Sequence, residues 1–313
     1  MKKHSIAFVI FVLGLVGLLV LSGLVVIPKN NTAEAGMLDV GANGILGEKE
    51  NTVDTLFIGD SLAYCAFIPM KIWEETGSTS YVCATDLQEL QYTAEMVENA
   101  LSRQSPKIVF MEADAIYRKI NLGTLLYAKI YNAFSVFRYH DRWKHLTVKD
   151  FFGKQEFTGT DDEKGYRRFS DSKSADVKDY MAPTENVAKI TDLNKSLVEQ
   201  IRDTCAEHGA ELVLISVPSM KNWNMARHNG IVNLAEDLGV EYLDLNMPGT
   251  VDVDWTADTR DGGDHMMITG AEKVTSYVID YLRERDLLPD HRSDPEYAAW
   301  NEALKRIKNA PLA

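Results

Sequence analysis

Apolar and polar positions divide the chain into one long N-terminal apolar run and a body of shorter segments. The run over residues 6–27 has no charged residue, and its roughly 22 residues are enough to cross a bilayer core as a helix. A cleaved signal peptide has a shorter apolar core, although residues 33–35 (Ala-Glu-Ala) offer a cleavage site. We therefore predict an uncleaved transmembrane anchor. Lys2 and Lys3 precede the run, so the positive-inside rule places the body of the protein outside the cytoplasm.

The body alternates short apolar runs with segments of helical periodicity. The apolar runs predict five strands: Thr52–Ile58, Ser80–Cys83, Lys107–Met111, Leu212–Ser216 and Val240–Leu243. Apolar residues at helical spacing predict helices between or after them: Leu87–Leu101, Ile190–His208, Asn224–Leu238 and Thr269–Leu287. Such alternation is typical of an α/β fold, here a three-layer αβα sandwich with a central, mostly parallel five-stranded sheet.

The same patterns predict the domain organisation. We expect a cytoplasmic tip and anchor over residues 1–29, a polar stalk over 30–50, an α/β domain over 51–288 and a tail over 289–313. Residues 113–183 break the strand–helix rhythm and predict an insertion above the carboxyl edge of the sheet, with an apolar, aromatic helix from Leu122 to Phe137.

Charge and cysteine content narrow the possible partners and bonds. The formal net charge of -13 disfavours nucleic acid as a partner. The three cysteines, Cys65, Cys83 and Cys205, form no disulfide framework. Cys65 could pair with Cys83, but we favour three small buried apolar residues.

The first predicted strand ends in Gly59-Asp60-Ser61, where a helix can begin. A serine at that position suits a nucleophile, because the free main-chain N–H groups and the helix dipole can stabilise an oxyanion. Gly59 permits a sharp turn there. The structural alternative is that Ser61 is an ordinary helix N-cap.

A histidine precedes the last predicted helix, about 200 residues after Ser61. His265 stands on a loop, and a capping box formed by Thr269 and Glu272 is expected to start the helix that follows. Loops at the carboxyl edge of a doubly wound sheet come together, so His265 can act as the base for Ser61. Asp261 or Asp264 would orient the imidazole.

Other polar clusters carry weaker signals. The acidic run of Asp252, Asp254, Asp258, Asp261 and Asp264 could bind calcium, but we expect a solvated loop and no metal. Arg142 and Trp143 could line a sugar site, or lie on a helix surface. Ser219 and Trp223 follow the fourth strand, and we expect them at the rim of the cleft.

Gly59-Asp60-Ser61 after a first strand, with an Asp-rich loop and His265 before a C-terminal helix, resembles the SGNH/GDSL hydrolase superfamily over residues 50–287. The resemblance implies a flavodoxin-like fold, Ser61 as nucleophile and His265 as base. The chain resembles in particular the membrane-anchored extracytoplasmic branch, similar to alginate O-acetyltransferase-like proteins and the D-alanine-transfer protein of teichoic acid modification.

Two departures from that pattern bear on activity. The acid of the family stands three residues before the histidine, where this chain has Gly262, so Asp261 would serve only if the Gly262-Gly263 pair bulges. The oxyanion glycine and asparagine of the family are not evident either. The oxyanion hole therefore has the Ser61 amide and a second donor that the sequence does not identify.

These features predict an O-acyl transferase or esterase, with acetyl as the expected acyl group, that modifies a cell-envelope or exported polysaccharide through an acyl-serine, with no cofactor. A membrane partner would supply the acyl donor to a transferase. The alternative is a non-catalytic glycan-binding or assembly protein on the same fold, which a Ser61–His265 separation above about 5 Å would favour. A third possibility, a metal-dependent hydrolase that uses the acidic run, lacks a suitable ligand spacing.

Overall fold

The computed structural model describes residues 2–176 and 179–309, and its centre is one parallel sheet. All neighbouring strands are parallel, in the order β2-β1-β3-β4-β5, which is the flavodoxin-like order. The strands are β1 (Thr55–Gly59), β2 (Ser80–Ala84), β3 (Ile108–Glu112), β4 (Glu211–Ser216) and β5 (Glu241–Asp244). The predicted α/β class and the five strands are confirmed, with bounds shifted by a few residues.

Helices cover both faces of the sheet, which makes three layers. One layer contains α5 (Leu90–Leu101), α9 (Asp192–Glu207) and α10 (Met225–Leu238). The other contains α3 (Ser61–Ala66), α4 (Pro69–Thr76) and α11 (Ile268–Glu284). Side chains of β3 alternate between these layers: Val109 and Met111 pack on the first, and Ile108 and Phe110 on the second. Both faces are therefore buried, which explains why the strands are continuously apolar.

The last helix of the sheet domain begins differently from the prediction. Met267 is the N-cap of α11, and no side chain caps the helix there. The hydroxyl of Thr269 instead donates to Asp258 Oδ1 at 2.6 Å. The predicted capping box of Thr269 and Glu272 is therefore wrong, because the N-cap lies two residues earlier, at Met267, and Thr269 is already inside the helix.

The N-terminal helix α1 (Lys2–Val26) is long and apolar enough to cross a membrane. Its span from His4 to Val26 has 23 residues and a mean hydropathy of 3.0. A signal sequence has the same features, so length and composition alone leave cleavage undecided. Most side chains of this helix are exposed, and only its carboxyl end contacts the rest of the protein.

Residues 30–50 pack on the domain and are not an extended stalk. The short helix α2 (Val40–Asn43) places Ala42 beside β2, and Ile45 joins the core. Glu48 is buried and pairs with the buried Lys164 at 2.7 Å. The polar composition of this segment is therefore explained by buried hydrogen bonds and an ion pair rather than by solvation alone.

The insertion and the tail also contain ordered helices. The predicted helix from Leu122 to Phe137 is two helices, α6 (Leu122–Ala133) and α7 (Ser135–Arg138), and α8 (Val148–Phe152) follows them. In the tail, α12 (Ala298–Asn309) packs on α4 through Trp300 and Trp73, whose ring centroids are 5.6 Å apart. Trp300 is thus part of a small second core.

All three cysteines are free and buried, as the favoured interpretation expected. Cys65 packs on the α3 and α11 side of the sheet, whereas Cys83 packs on the α5 and α9 side. The sheet separates the two thiols, so the possible Cys65–Cys83 disulfide is not formed.

Candidate active site

Ser61 lies at the carboxyl end of β1 and is the first residue of α3. The turn before it requires glycine: Gly59 has φ +157°, and a Cβ there would lie 2.6 Å from the Cβ of Glu112. Asp60 is the N-cap of α3 and accepts the Leu62 N–H at 2.9 Å. Because Asp60 performs the capping, the hydroxyl of Ser61 is left available for other contacts. The alternative of Ser61 as the N-cap is therefore wrong.

His265 lies on a loop that folds back on itself before α11. Thr259 and Met266 form an isolated antiparallel bridge, which places the two ends of the loop side by side. Gly262 and Gly263, with φ of +76° and +89°, make the reversal between them. This left-handed conformation is unfavourable for residues with a side chain. The pair forms the bulge that the Asp261 assignment required.

The two loops bring Ser61 and His265 into contact. Ser61 Oγ is 2.8 Å from His265 Nε2, and His265 Nδ1 is 2.7 Å from Asp261 Oδ2. The other oxygen of Asp261 accepts the main-chain N–H of His265 at 2.9 Å. The hydroxyl, imidazole and carboxylate form one hydrogen-bonded chain at the carboxyl edge of the sheet. The 2.8 Å distance is far below the separation that would favour a non-catalytic protein.

The Asp261 carboxylate is held in its charged form. Burial by itself raises the pKa of this carboxyl, but the hydrogen bonds from the His265 main chain and ring outweigh that effect and keep the pKa below its usual value. Lys221, whose ammonium donates to the Asp261 carbonyl, lowers the pKa further. A charged Asp261 can both orient the imidazole and stabilise an imidazolium.

Asp264, the other candidate acid, is oriented mainly by different donors. Its Oδ2 lies 3.8 Å from His265 Nδ1, too long for a hydrogen bond. Its Oδ1 accepts from the side-chain amide of Asn222 and from the hydroxyl of Ser219, the latter at 3.5 Å. Asp261 is therefore the geometrically better partner of His265, and Asp264 joins the His265 loop to the segment after β4.

The residues expected at the rim of the cleft are elsewhere. Trp223 is buried, and its indole N–H donates to Asp244 at 3.0 Å, so its placement at the rim is wrong. Ser219 is fully buried, and its hydroxyl donates to Asp264 in the loop that carries His265. Neither side chain is accessible to a polymer, because the loop after β4 turns inward.

Arg142 and Trp143 lie with the carboxyl end of α1. The Arg142 guanidinium donates to the Val26 carbonyl and to Asp150, the latter at 2.6 Å. Trp143 is exposed, with the Lys144 ammonium 6.0 Å from its ring centroid. These contacts join the insertion to α1 rather than to Ser61 or His265.

An ion-pair network that the sequence did not predict supports the turn at Ser61. The Arg118 guanidinium donates to Asp60 and, at 3.1 Å, to Asp114, which also accepts from Arg227 at 2.7 Å. Asp114 follows β3, where the SGNH resemblance implies a hydrogen-bond donor to the oxyanion. Its carboxylate accepts hydrogen bonds from Arg118 and Arg227 and cannot act as that donor. Asp114 and Arg118 are four residues apart, but Asp60 and Arg227 are far from them in sequence, so only the fold assembles the network.

A second polar group lies beside the site, at the end of β2. The Tyr64 hydroxyl donates to Asp86, and Arg167 Nη1 is 3.3 Å from both carboxylate oxygens of Asp86. The hydrogen bond from Tyr64 and the Arg167 charge lower the pKa of Asp86, and the charge of His265 acts in the same direction. Asp86 also lines a cavity of about 380 Å³ that α5 and α6 border with Tyr92, Tyr127 and Tyr131.

The acidic run is largely satisfied by protein donors. Asp258 is buried and accepts from Lys273 at 2.7 Å and from Thr269, and Asp254 accepts from Thr256. Asp261, Asp264 and His265 have ligand atoms within 4.8 Å of one another. Asp252 and Asp254 are exposed in this loop, whereas the carboxylates of Asp258, Asp261 and Asp264 accept hydrogen bonds from protein side chains or main chain.

Fold and site together define an α/β protein with a Ser-His-Asp hydrogen-bonded chain at the carboxyl edge of a parallel sheet.

No family model and no curated protein matches the sequence. Similar solved structures include a lipase/acylhydrolase from Enterococcus faecalis, with 10% identity, 74% of this chain and 97% of that chain covered, and a TM-score of 0.38. A GDSL-like lipase from Bacteroides thetaiotaomicron has 8% identity, with 78% and 99% covered and a TM-score of 0.40. A family 3 carbohydrate esterase from Clostridium thermocellum has 13% identity, with 76% and 100% covered and a TM-score of 0.39. Because the identities and TM-scores are this low, the activities of these proteins are not assigned to this chain.

Proposed function

We propose that this chain is an SGNH-type serine esterase or O-acyltransferase that uses Ser61 as nucleophile, His265 as base and Asp261 as the acid that orients it. The observation that carries the proposal is the continuous chain of hydrogen bonds, 2.8 Å from Ser61 to His265 and 2.7 Å from His265 to Asp261. Distances in this range allow proton transfer without rearrangement.

The reaction follows from these contacts. Ser61 Oγ attacks an acyl carbonyl while His265 Nε2 takes the hydroxyl proton, and the Ser61 main-chain N–H faces the oxyanion. Collapse of the tetrahedral species breaks the ester bond, and the imidazolium gives its proton to the leaving alkoxide. His265 then removes a proton from water or from an acceptor hydroxyl, whose oxygen attacks the acyl carbonyl. The bond from that carbon to Ser61 Oγ breaks, and the imidazolium returns its proton to Oγ, which regenerates Ser61. The acceptor alone separates hydrolase from transferase.

We propose an exported or cell-envelope polysaccharide as the acceptor or substrate, with an acetyl group as the acyl unit. The apolar span His4–Val26 of α1, which follows Lys2 and Lys3 at the start of the helix, favours a single-pass anchor with the domain outside the cytoplasm. The cavity beside Asp86, lined by tyrosines, suits a sugar ring. A transferase of this kind needs a membrane partner that delivers the acyl donor, as in the branch that the chain resembles.

The test is the acyl-enzyme itself. The full chain in detergent micelles, mixed with p-nitrophenyl acetate, should release one equivalent of nitrophenol in a burst and gain the mass of one acetyl group on the peptide that contains Ser61. Ser61→Ala should abolish both signals, whereas Ser196→Ala, a change at an exposed serine of α9, should leave them unchanged. An undiminished burst in Ser61→Ala would refute the assignment. Addition of an oligosaccharide then separates acetyl transfer from hydrolysis.

A further inference from the structure

The insertion exposes large apolar side chains over a short stretch. Trp143 is 66% exposed, Val148 76%, Phe151 57% and Phe152 87%, and Phe137 of α7 is also exposed. These five residues are called the apolar patch below. Single exposed apolar residues are common, but these five lie within residues 137–152, with the ring centroids of Phe151 and Phe152 6.4 Å apart, and such a group indicates an interaction surface.

The apolar patch is carried by the elements that contact α1. Helices α7 and α8 and the turn over residues 140–145 all pack on the carboxyl end of α1. A Cβ on Gly23 would lie 3.7 Å from the Cβ of Ser135, so α7 lies directly against this glycine. The covered positions of α1 all lie in its last two turns, and four of the five follow a helical stripe: Leu19, Ser22, Gly23 and Val26, with Val25 beside them. The insertion therefore covers one side of the last two turns of α1.

That contact fixes the depth of the patch if α1 crosses a bilayer. The 23-residue span is about 34 Å long, against a hydrocarbon core of about 30 Å. Gly23 is three residues before the end of the span, or about 4.5 Å along the helix axis. An element packed against Gly23 then lies at the boundary between headgroups and acyl chains, where Trp and Tyr are enriched.

The charge of this segment is opposite to that of the whole chain. Residues 122–154 contain six lysines and arginines and two aspartates, a formal charge of +4 in a chain of -13. Basic residues beside exposed aromatic and aliphatic ones are typical of segments that lie in the plane of an anionic membrane surface. Charge complementarity therefore favours lipid over a protein partner as the occupant.

We propose that the apolar patch is a membrane-contact surface, inserted at the headgroup–acyl boundary of the same bilayer that α1 crosses. This inference rests on the proposed anchor. The apolar patch adds a second membrane contact, which fixes the tilt and height of the domain relative to the bilayer. A domain held in this way presents its site to polymers near the membrane and not to distant ones.

The experiment uses the full chain with one added cysteine, since the three native cysteines are buried. A small environment-sensitive fluorophore is attached at Phe152→Cys or, if that variant folds poorly, at Val148→Cys. The protein is reconstituted in vesicles of phosphatidylcholine and phosphatidylglycerol that contain nitroxide lipids. Glu207→Cys at the exposed end of α9 is the water control, and Leu13→Cys in mid-span is the anchor control. Thermal unfolding checks the fold of each variant, so this control does not depend on the chemistry of Ser61.

We expect nitroxide near the headgroup end of the acyl chain to quench the label at 152 at least about twofold, and more than nitroxide near the chain terminus, because the patch is shallow. The label at 207 should be unquenched. Quenching at 13 without quenching at 152 would overturn the membrane contact while leaving the anchor intact, and would point to a protein partner on the patch. Absence of quenching at 13 would overturn the anchor and the patch together, without bearing on Ser61 chemistry.

Discussion

The assignment of Asp261 rather than Asp264 can be tested with an isosteric change. In the wild-type chain, Asp261 Oδ1 accepts the His265 main-chain N–H at 2.9 Å, and Oδ2 accepts the ring Nδ1–H at 2.7 Å. In Asp261→Asn, the main-chain N–H still requires an acceptor, so the amide oxygen stays on that side. The amide NH₂ then faces Nδ1, which forces the imidazole into the tautomer with its proton on Nε2. That tautomer cannot take the proton of Ser61.

The size of the effect follows from two contributions. Loss of a hydrogen bond to a charged group costs about 1.5–3 kcal/mol, and the wrong tautomer adds a similar amount. At 1.36 kcal/mol per tenfold change in rate, the acylation rate constant should fall about 10²- to 10⁴-fold. Asp264→Asn keeps an oxygen for Asn222, and Asp264 is 3.8 Å from the ring, so the expected loss is below about tenfold.

The assay is the rate constant of the nitrophenol burst, measured by stopped flow for both variants, with thermal unfolding as the control for folding. Equal Tm values with a large rate loss only in Asp261→Asn would support the assignment. An Asp264→Asn variant that loses as much activity as Asp261→Asn, or more, would show that the loop uses the other carboxylate and that the reasoning from the 2.7 Å contact is wrong.

Three further predictions concern stability. Glu48→Ala leaves the buried Lys164 ammonium without its carboxylate partner and should lower the unfolding free energy, measured by denaturant titration, by about 3–5 kcal/mol. The double variant Glu48→Leu/Lys164→Met should recover most of that loss. Equal stability of the wild type and Glu48→Ala would contradict this. Burial raises the pKa of Glu112 well above its usual value, so its contribution to stability is present at low pH and is lost as pH rises above the unfolded pKa. Glu112→Gln cannot ionise and should flatten the decline of Tm between about pH 5 and 8, and an unchanged slope would count against a neutral Glu112. Gly59→Ala should lower the unfolding free energy by about 1–3 kcal/mol and slow the nitrophenol burst, because the new Cβ would overlap the Cβ of Glu112. A wild-type Tm and a wild-type burst rate would exclude that overlap.

The strand and helix order could be predicted from sequence because apolar periodicity reflects local burial. Four of the five strands are fully or almost fully buried, and their short length, their flanking turn residues and the longer helical periodicity between them distinguish strands from helices. The same reasoning reached Ser61 and His265, since each stands at the end of an apolar strand or ahead of a helix. Their position at one edge follows from parallel topology and needs no long-range detail.

Predictions failed where long-range contacts decide the role of a residue. Trp223 follows a strand, as rim residues do, yet the turn after β4 buries its ring beside Asp244. Residues 30–50 are polar and small, which is also the composition of a stalk, but Ala42 and Ile45 fill the core beside β2. Composition reports the average environment of a segment, whereas burial depends on which partner surface lies opposite it.

The sequence by itself determined the long apolar N-terminal helix, the parallel α/β core, and the serine and histidine, because each depends on a local pattern and the general rules of parallel sheets. Only the tertiary structure chose between two aspartates of one loop, since the Gly262-Gly263 reversal puts Asp261 on the imidazole and turns Asp264 toward Asn222. It alone also assembled the ion pairs of Arg118 and placed the insertion on α1. A distance of a few ångströms between residues far apart in the chain is set by packing, which no local pattern encodes.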